Sequence, residues 1–346
     1  MIMGTPARAA RRIPVFVLTG FLGSGKTTLL SRLIRADGIA GTLVIINEFG
    51  EVGLDHMLVE SSDEQIVLME SGCVCCTMRG DLAQTLGDVA LRLARGDLPP
   101  ISRVVLETTG LADPGPVLQT LAGDPMVAAA FSLGGVWTVV DAFHAASNLD
   151  RYPESRRQVA MADRLLLTKT DLVDADAVSA LRSRLQGLNR DADTCDVRAA
   201  DDLPALLTDP DVRRVSKVPS SPITHDPADR HTHHHHDDHI RSLCVSYTGS
   251  RPLRAVASFL ESLVRDHGER ILRIKGVVGI DGRDAPVAVH GVQHLLHPPV
   301  PLRAWADEDH TSHIVFITDD LAPELIQSRF DAWLESAGQD NTMTSP

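Results

Sequence analysis

The feature that most limits the fold is a glycine-rich segment from Gly20 to Thr27, which reads GFLGSGKT. It matches the pattern G-x-x-x-x-G-K-[ST] at every defined position, with an apolar run before it and a helical pattern, Thr28–Arg35, after it. The glycines allow successive backbone N–H groups to turn inward around phosphate oxygens. The segment therefore predicts a phosphate-binding loop for a nucleoside triphosphate. Its predicted contact residues are Gly20, Gly23, Ser24, Gly25, Lys26, Thr27 and Thr28.

Short apolar runs alternate with helical patterns over residues 13–200. The runs are apolar almost throughout and end in turn residues, which is typical of strands buried on both faces of a mainly parallel sheet. Helical patterns between them include Leu82–Ala94 and Ala177–Leu188. The alternation predicts a doubly wound α/β domain. Its predicted strands are Val15–Leu18, Leu43–Ile46, Ile66–Met69, Val104–Leu106, Val136–Val140 and Leu165–Leu167.

A second unit follows residues 218–239, a segment with three prolines, a dense histidine run and no periodicity. From Arg241 the pattern reads strand, helix, three strands and a final helix, which indicates a smaller α+β domain. Asp281-Gly282 is a hairpin turn signal between two of the strands. The predicted elements are Leu243–Tyr247, Leu253–His267, Ile271–Ile280, Val287–Val292, Ile314–Ile317 and Pro323–Leu334.

Composition and charge exclude several classes of protein. The chain has 346 residues, of which 43% are hydrophobic, enough for roughly two domains with full cores. A net charge of −13 argues against nucleic-acid binding, and no run approaches the roughly 18 apolar residues of a membrane span. Residues 1–12 lack a signal-peptide pattern, and the five cysteines do not resemble an extracellular disulfide framework. We therefore expect a cytoplasmic protein that binds neither nucleic acid nor membrane.

The strand Leu165–Leu167 ends in Thr168-Lys169-Thr170-Asp171, at the place where GTP-binding proteins carry N-K-x-D. The Asp171 carboxylate can accept two hydrogen bonds from guanine, a donor pair that adenine lacks, and the Lys169 stem can pack on the ring. Thr168 replaces the usual Asn. The alternative is an Asp that only caps the next helix. The segment favours GTP over ATP, and Asp171 argues against an ATP-dependent small-molecule kinase.

The strand Val104–Leu106 ends in Glu107-Thr108-Thr109-Gly110, which is the D-x-x-G arrangement of small GTPases with Glu for Asp. A carboxylate at a strand end can hold Mg²⁺ through water, and the Gly110 N–H can reach a γ-phosphate. Glu107 could instead cap the following turn. We predict that Lys26, Thr27 and Glu107 are catalytic, with Thr27 coordinating Mg²⁺.

Three cysteines, Cys73, Cys75 and Cys76, lie within four positions. In a cytosolic chain such a cluster indicates a soft-metal site for Zn²⁺ or a similar ion. No second pair of ligands at zinc spacing accompanies the trio, so one coordination position stays open to a carboxylate, water or partner. Buried structural cysteines or a redox pair are the alternatives. Cys195 and Cys244 stand singly in strand-like runs and are interpreted as core residues.

Together these motifs resemble the CobW-type GTPases, which belong with the urease and hydrogenase accessory GTPases. The resemblance covers almost the whole chain and looks closer to the zinc-associated members than to the cobalamin-pathway member. It also rests on Asn47–Glu51 with Asp55, Ala112–Pro116, Leu272–Gly276 and Gly291–His294. On this basis the chain divides into a disordered lead-in (1–11), a P-loop GTPase domain (12–217), a His-rich linker (218–240), a C-terminal α+β domain (241–337) and a disordered tail (338–346).

The resemblance implies a metallochaperone that hydrolyses GTP and transfers zinc to a client metalloprotein. It implies that the three cysteines carry the metal and that a switch-region glutamate joins them, with Glu51 preferred over Glu48. Metal storage or regulation by GTP, and cobalt delivery for cobalamin synthesis, remain alternatives. The client, the cellular metal, the water-positioning residue and the oligomeric state, a homo-oligomer included, stay open.

The histidine run supplies further candidate ligands. Imidazoles at this density bind Zn²⁺, Co²⁺ or Ni²⁺ weakly and at several alternative sites, which suits metal acquisition better than fixed coordination. A solvated polar linker is the alternative. The predicted weak ligands are His231, His233, His234, His235, His236 and His239.

Overall fold

The computed structural model describes residues 12–36, 39–46, 66–68, 74–77, 81–198, 239–305 and 309–340. Eight strands form the first sheet in the order β3-β4-β2-β5-β1-β6-β7-β8, and all are parallel except β3, which runs antiparallel to β4. Every strand predicted in this domain is present. The strands are β1 Ile13–Thr19, β2 Thr42–Ile46, β3 Ile66–Leu68, β4 Val74–Thr77, β5 Arg103–Glu107, β6 Phe131–Asp141, β7 Arg164–Thr168 and β8 Asp193–Asp196.

Helices follow the strands as the α/β alternation requires. They are α1 Lys26–Ile34, α2 Leu82–Arg95, α3 Gly115–Gly123, α4 Pro125–Ala130, α5 Ala145–Arg151, α6 Pro153–Ala160 and α7 Ala175–Leu188. Helix α2 begins and ends at residues that are typical of helix termini. Asp81 accepts a hydrogen bond from the Ala83 N–H (2.9 Å), and Gly96 ends the helix in the left-handed conformation.

The central strands are buried on both faces, which explains their continuous apolar character. Val15 and Val17 of β1 belong to one apolar cluster, and Phe16 and Leu18 belong to another. Because successive side chains of a strand point to opposite faces, the two clusters lie on opposite sides of the sheet. The fold class predicted from the sequence is confirmed.

The second sheet is antiparallel, with the path β12-β11-β10-β14-β9 and β13 beside β11. Its strands are β9 Ile240–Tyr247, β10 Ile271–Val278, β11 Val287–Val292, β12 Leu295–Leu296, β13 Val300–Pro301 and β14 Ser312–Asp319. Helices α8 (Leu253–His267) and α9 (Pro323–Asp340) pack on one face. Thus α9 extends past Leu334, where the sequence pattern ended, and past residue 338, where a tail was expected.

The other face of this sheet packs against the first domain. Leu272, Val292 and Val315 share one apolar cluster with residues of the α/β domain. Two cations of β10 lie in the same interface. Arg273 and Lys275 face acidic groups of the first domain and are almost completely buried. No helix in the described part of the chain is both long and apolar enough to cross a membrane.

Candidate functional site

The glycine-rich segment forms the turn between β1 and α1. Gly20, Gly23 and Gly25 all have positive φ angles (142°, 71° and 95°), which residues with a side chain rarely adopt. At Gly20 a Cβ atom would also lie 2.3 Å from the Val139 carbonyl oxygen, so no side chain fits. Backbone conformation therefore favours glycine at all three positions of the predicted phosphate loop, and at Gly20 the lack of space requires it as well.

Lys26 is the first residue of α1, and its side chain folds back over the loop. Its ammonium donates hydrogen bonds to the carbonyl oxygens of Gly20 (2.9 Å) and Phe21 (3.2 Å). The side chain is 8% exposed. The positive charge and the N-terminus of α1 thus lie at the same place, which is a favourable site for an anionic phosphate.

Thr27 and Glu107 bring the loop and β5 together. The Thr27 hydroxyl donates to Glu107 Oε1 at 2.8 Å, and Glu107, the last residue of β5, is 3% exposed. The sequence predicted both residues but not their contact. A hydroxyl and a carboxylate are hard oxygen donors of the kind that Mg²⁺ prefers, so this pair fits that cation.

The segment after β5 lies directly against the phosphate loop. The Thr108 hydroxyl donates to Thr19 Oγ1 at 2.9 Å, which ties the segment to the end of β1. A Cβ atom at Gly110 would approach the Leu22 backbone within 2.8 Å. Gly110 must therefore be glycine because the backbones of the segment and the loop approach closely.

The Thr168–Asp171 segment borders the loop on its other side. Thr168 Oγ1 donates to the Ser24 carbonyl (2.7 Å), and Lys169 Nζ donates to the Gly23 carbonyl (2.9 Å). Lys169 itself has φ 56°, a left-handed backbone conformation. Asp171 is half exposed and pairs with Arg198 at 2.8 Å. Thr168 and Lys169 thus contact the phosphate loop directly, whereas Asp171 follows them in the chain and contacts Arg198.

Asp141, at the end of β6, is a site residue that the sequence analysis missed. It is 4% exposed and accepts hydrogen bonds from Lys169 Nζ (2.7 Å) and from the Phe143 N–H (2.9 Å). Burial alone would raise its pKa, but the hydrogen bonds from Lys169, His144 and Phe143 outweigh burial and lower it. Asp141 therefore stays ionised and holds Lys169 in place. The available signal was a carboxylate directly after an apolar strand, as at Glu107.

The described residues include only part of the predicted zinc site. Cys75 and Cys76 belong to β4, where they pair in register with Val44 and Ile45 of β2. Cys73 and Glu51 lie outside the described residues, as do His231, His233, His234, His235 and His236. His239 is described, and its Nδ1 lies 2.5 Å from Asp320 Oδ1. Within the described ranges no three His, Cys, Asp or Glu side chains come together as metal ligands.

The single cysteines behave as the sequence predicted. Cys195 of β8 and Cys244 of β9 are half-buried, and each packs beside an apolar cluster. Burial raises the pKa of both thiols. Neither has the low pKa expected of a reactive thiolate.

Comparison with known proteins identifies the family. Residues 14–196 match the CobW/HypB/UreG nucleotide-binding domain, and residues 240–334 match the cobalamin synthesis protein CobW C-terminal domain. The chain belongs to the CobW family. Both halves of the resemblance found in the sequence are therefore confirmed.

Members of the CobW family similar to this chain include proteins named for zinc. The zinc chaperone YjiA of Escherichia coli is 35% identical over 320 residues, which cover 92% of this chain and 98% of YjiA. The zinc chaperone CobW of Pseudomonas aeruginosa is 30% identical, with 92% and 90% covered. The crystal structure of Zn(II)-bound YjiA GTPase superposes with a TM-score of 0.72 at 34% identity, covering 93% of this chain and 99% of that one.

Proposed function

We propose that this protein is a Mg²⁺-dependent GTPase that acts as a metallochaperone, carrying zinc and transferring it to a client metalloprotein. The observation that carries the proposal is the contact between Thr27 of the phosphate loop and buried Glu107, in a chain that matches a zinc chaperone along nearly its whole length. The cysteine trio requires reduced thiols to bind metal, so we further propose a cytoplasmic location.

Hydrolysis would proceed by in-line attack of water on the γ-phosphate of GTP. Lys26 and the loop N–H groups would neutralise the charge that develops on the phosphate oxygens. Thr27 and Glu107 are the residues that would hold Mg²⁺, which when bound adds positive charge to the β- and γ-phosphates. No glutamine or arginine finger is identified in the sequence, so we expect slow turnover without a partner.

Selectivity for GTP would depend on the Thr168–Asp171 segment. Its proximity to the loop supports a base site there, since Lys169 reaches the Gly23 carbonyl and Asp171 lies two residues further along the chain. The guanine N1–H and N2–H groups would bind the Asp171 carboxylate. Arg198, which pairs with Asp171, would then have to share or release that carboxylate.

The register of the first sheet supports coupling between zinc and nucleotide. Cys76 of β4 pairs with Ile45 of β2, which pairs with Leu106 of β5, the neighbour of Glu107. Since adjacent strands are about 4.8 Å apart, the backbone of Cys76 lies about 10 Å from β5. A change at the γ-phosphate site therefore has a short path to the cysteine strand. By linkage, nucleotide and zinc would change each other's affinity by the same factor.

Phosphate release from GTP tests the enzymatic part. We expect Lys26→Ala to lower the rate by about 10²–10³-fold, because the variant loses the loop ammonium. Arg32→Ala, an exposed cation on the same helix, is the matched control and should hydrolyse GTP like the wild type. Equal rates for wild type and Lys26→Ala would refute the GTPase proposal.

Zinc titration tests the chaperone part. We expect wild-type protein loaded with GDP and with a non-hydrolysable GTP analogue to differ in zinc affinity. Cys75→Ser should abolish tight binding in both states, whereas Cys195→Ser, a half-buried single cysteine in β8, should leave it unchanged. Transfer to an apo-metalloenzyme that GTP and the analogue support equally would favour storage or regulation over hydrolysis-driven delivery.

A further inference from the structure

Helix α6 carries a buried amide that contacts the backbone after β5. Gln158 is 1% exposed, and its Nε2 donates to the carbonyl oxygens of Gly110 (3.1 Å) and Ala112 (3.0 Å). The main-chain carbonyl of Gln158 accepts from the Thr138 hydroxyl at 2.7 Å, which anchors the residue to β6. One side chain therefore holds two carbonyls of the segment that would sense the γ-phosphate.

Gln158 also lines a small cavity that it shares with Ser24 of the phosphate loop. Gln158 Oε1 has no hydrogen-bond partner among the described residues, and the same is true of the buried Ser24 Oγ. Both residues line one small cavity behind the loop, with about 10 Å³ of space for the centre of a water molecule. That is room for one water, which would give both oxygens a partner.

An amide at this position has an energetic cost that simple core packing would avoid. A buried acceptor costs about 1–3 kcal/mol without a partner, or up to about 2 kcal/mol for immobilising the water that would serve as one. An apolar side chain of similar length would fill the same space without either cost. What the amide provides, and an apolar side chain would not, is two N–H donors for the carbonyls of Gly110 and Ala112. Gly110 must be glycine because Leu22 leaves no room for a Cβ atom, and glycine brings backbone freedom that a recognition site must restrain.

We propose that Gln158 is a positioning residue that fixes Gly110 for recognition of the γ-phosphate. It acts through the backbone, since its amide holds the carbonyls on both sides of Leu111 and so limits the orientations of the Gly110 peptide. Holding the segment before GTP arrives lowers the ordering cost of binding. GDP, which has no γ-phosphate, gains nothing from this restraint. The inference rests on the proposed GTPase function and adds a determinant of the choice between GTP and GDP.

The test compares affinities of the full chain for fluorescent GDP and for a fluorescent non-hydrolysable GTP analogue. Gln158→Met keeps the length of the side chain and removes both donors. We expect its affinity for the analogue to fall about tenfold while its affinity for GDP stays unchanged. Gln158→Asn keeps the amide but withdraws it by one methylene, and it should show the same selective loss if the Met variant does not fold.

Asn189 provides a matched control. It is another amide with 1% exposure, and it donates at 2.9–3.0 Å to the carbonyls of Val159, Ala160 and Ala162, which belong to the end of α6 and not to the segment after β5. Asn189→Leu should lower the thermal midpoint without changing the ratio of the two affinities. An unchanged ratio in Gln158→Met, or an equal loss for both nucleotides, would overturn the inference. Wild-type protein that binds neither nucleotide would refute the proposed function instead.

Discussion

The interface between the two domains contains a buried network of four charges. Arg273 Nη2 lies 2.5 Å from Asp163 Oδ1, and Lys275 Nζ lies 2.7 Å from Asp191 Oδ2 and 3.5 Å from Asp163 Oδ1. The side chains of Asp163, Arg273 and Lys275 are 4–7% exposed. The two positive and two negative charges balance, so loss of one carboxylate leaves an uncompensated cation away from water.

Asp163→Asn removes that charge with little change in shape. The variant amide oxygen can still accept from the Val136 N–H, which Asp163 does at 2.8 Å. Removing one partner of a buried ion pair typically costs about 3–5 kcal/mol. An unfolding entropy of about 2.1 cal/mol/K per residue corresponds to about 1.4 °C per kcal/mol for 346 residues, so the thermal midpoint should fall by about 4–7 °C.

The assay is thermal unfolding at pH 7 followed by circular dichroism. Asp150→Asn is the matched control, since Asp150 pairs with Arg184 at 2.5 Å but both side chains are exposed (47% and 35%). Such a surface pair contributes about 0–1 kcal/mol, so this variant should unfold near the wild type. If the two variants unfold within 1 °C of each other, the network does not stabilise the interface and the reasoning fails.

The pH dependence gives a second check on the same residue. Burial alone would raise the pKa of Asp163, but the adjacent Arg273 and Lys275 outweigh burial and hold it well below 3.8. A lowered pKa contributes stability that is present above pH 3.8 and is lost as pH falls below it. The difference between wild type and Asp163→Asn should therefore shrink below about pH 4.

Two further variants test other parts of the structure. Asp141→Asn should lower GDP affinity about tenfold, because a charged hydrogen bond that holds Lys169 is weakened; titration with fluorescent GDP measures this, and an unchanged affinity would contradict the positioning role. Burial beside Lys275 lowers the pKa of His290 to about 3. Below about pH 6.5 the unfolded chain therefore binds a proton at His290 that the folded chain does not bind, which favours unfolding. Of the stability that the wild type loses between pH 7 and pH 5, His290 should account for about 1–2 kcal/mol, so His290→Gln should lose less; equal losses in thermal unfolding would exclude His290 as a cause.

Most elements of both domains could be predicted from local sequence. The phosphate loop, the strands on either side of it and the helix Leu253–His267 depend on residues close together in the chain, whose pattern carries the information. The strand β4 was not predicted, and at β8 the sequence indicated only a strand-like run around Cys195, since the few residues of these strands are partly polar and gain strand structure from neighbours. The antiparallel direction of β3 likewise depends on pairing with β4.

The functional site also combines residues that local sequence indicates with contacts that only the folded structure creates. Sequence motifs alone indicate Lys26, Thr27, Glu107, Lys169 and Asp171, because phosphate and base recognition use fixed residue types at fixed spacing. The roles of the remaining residues depend on contacts between distant parts of the chain. Local sequence did not indicate that Asp141 holds Lys169, that Gln158 holds Gly110, or that Arg273 meets Asp163 across the domain interface. Contacts of 28 to 110 residues' separation arise only when the chain folds: β6 pairs with β7, α6 packs beside the segment after β5, and the second sheet packs against the first domain.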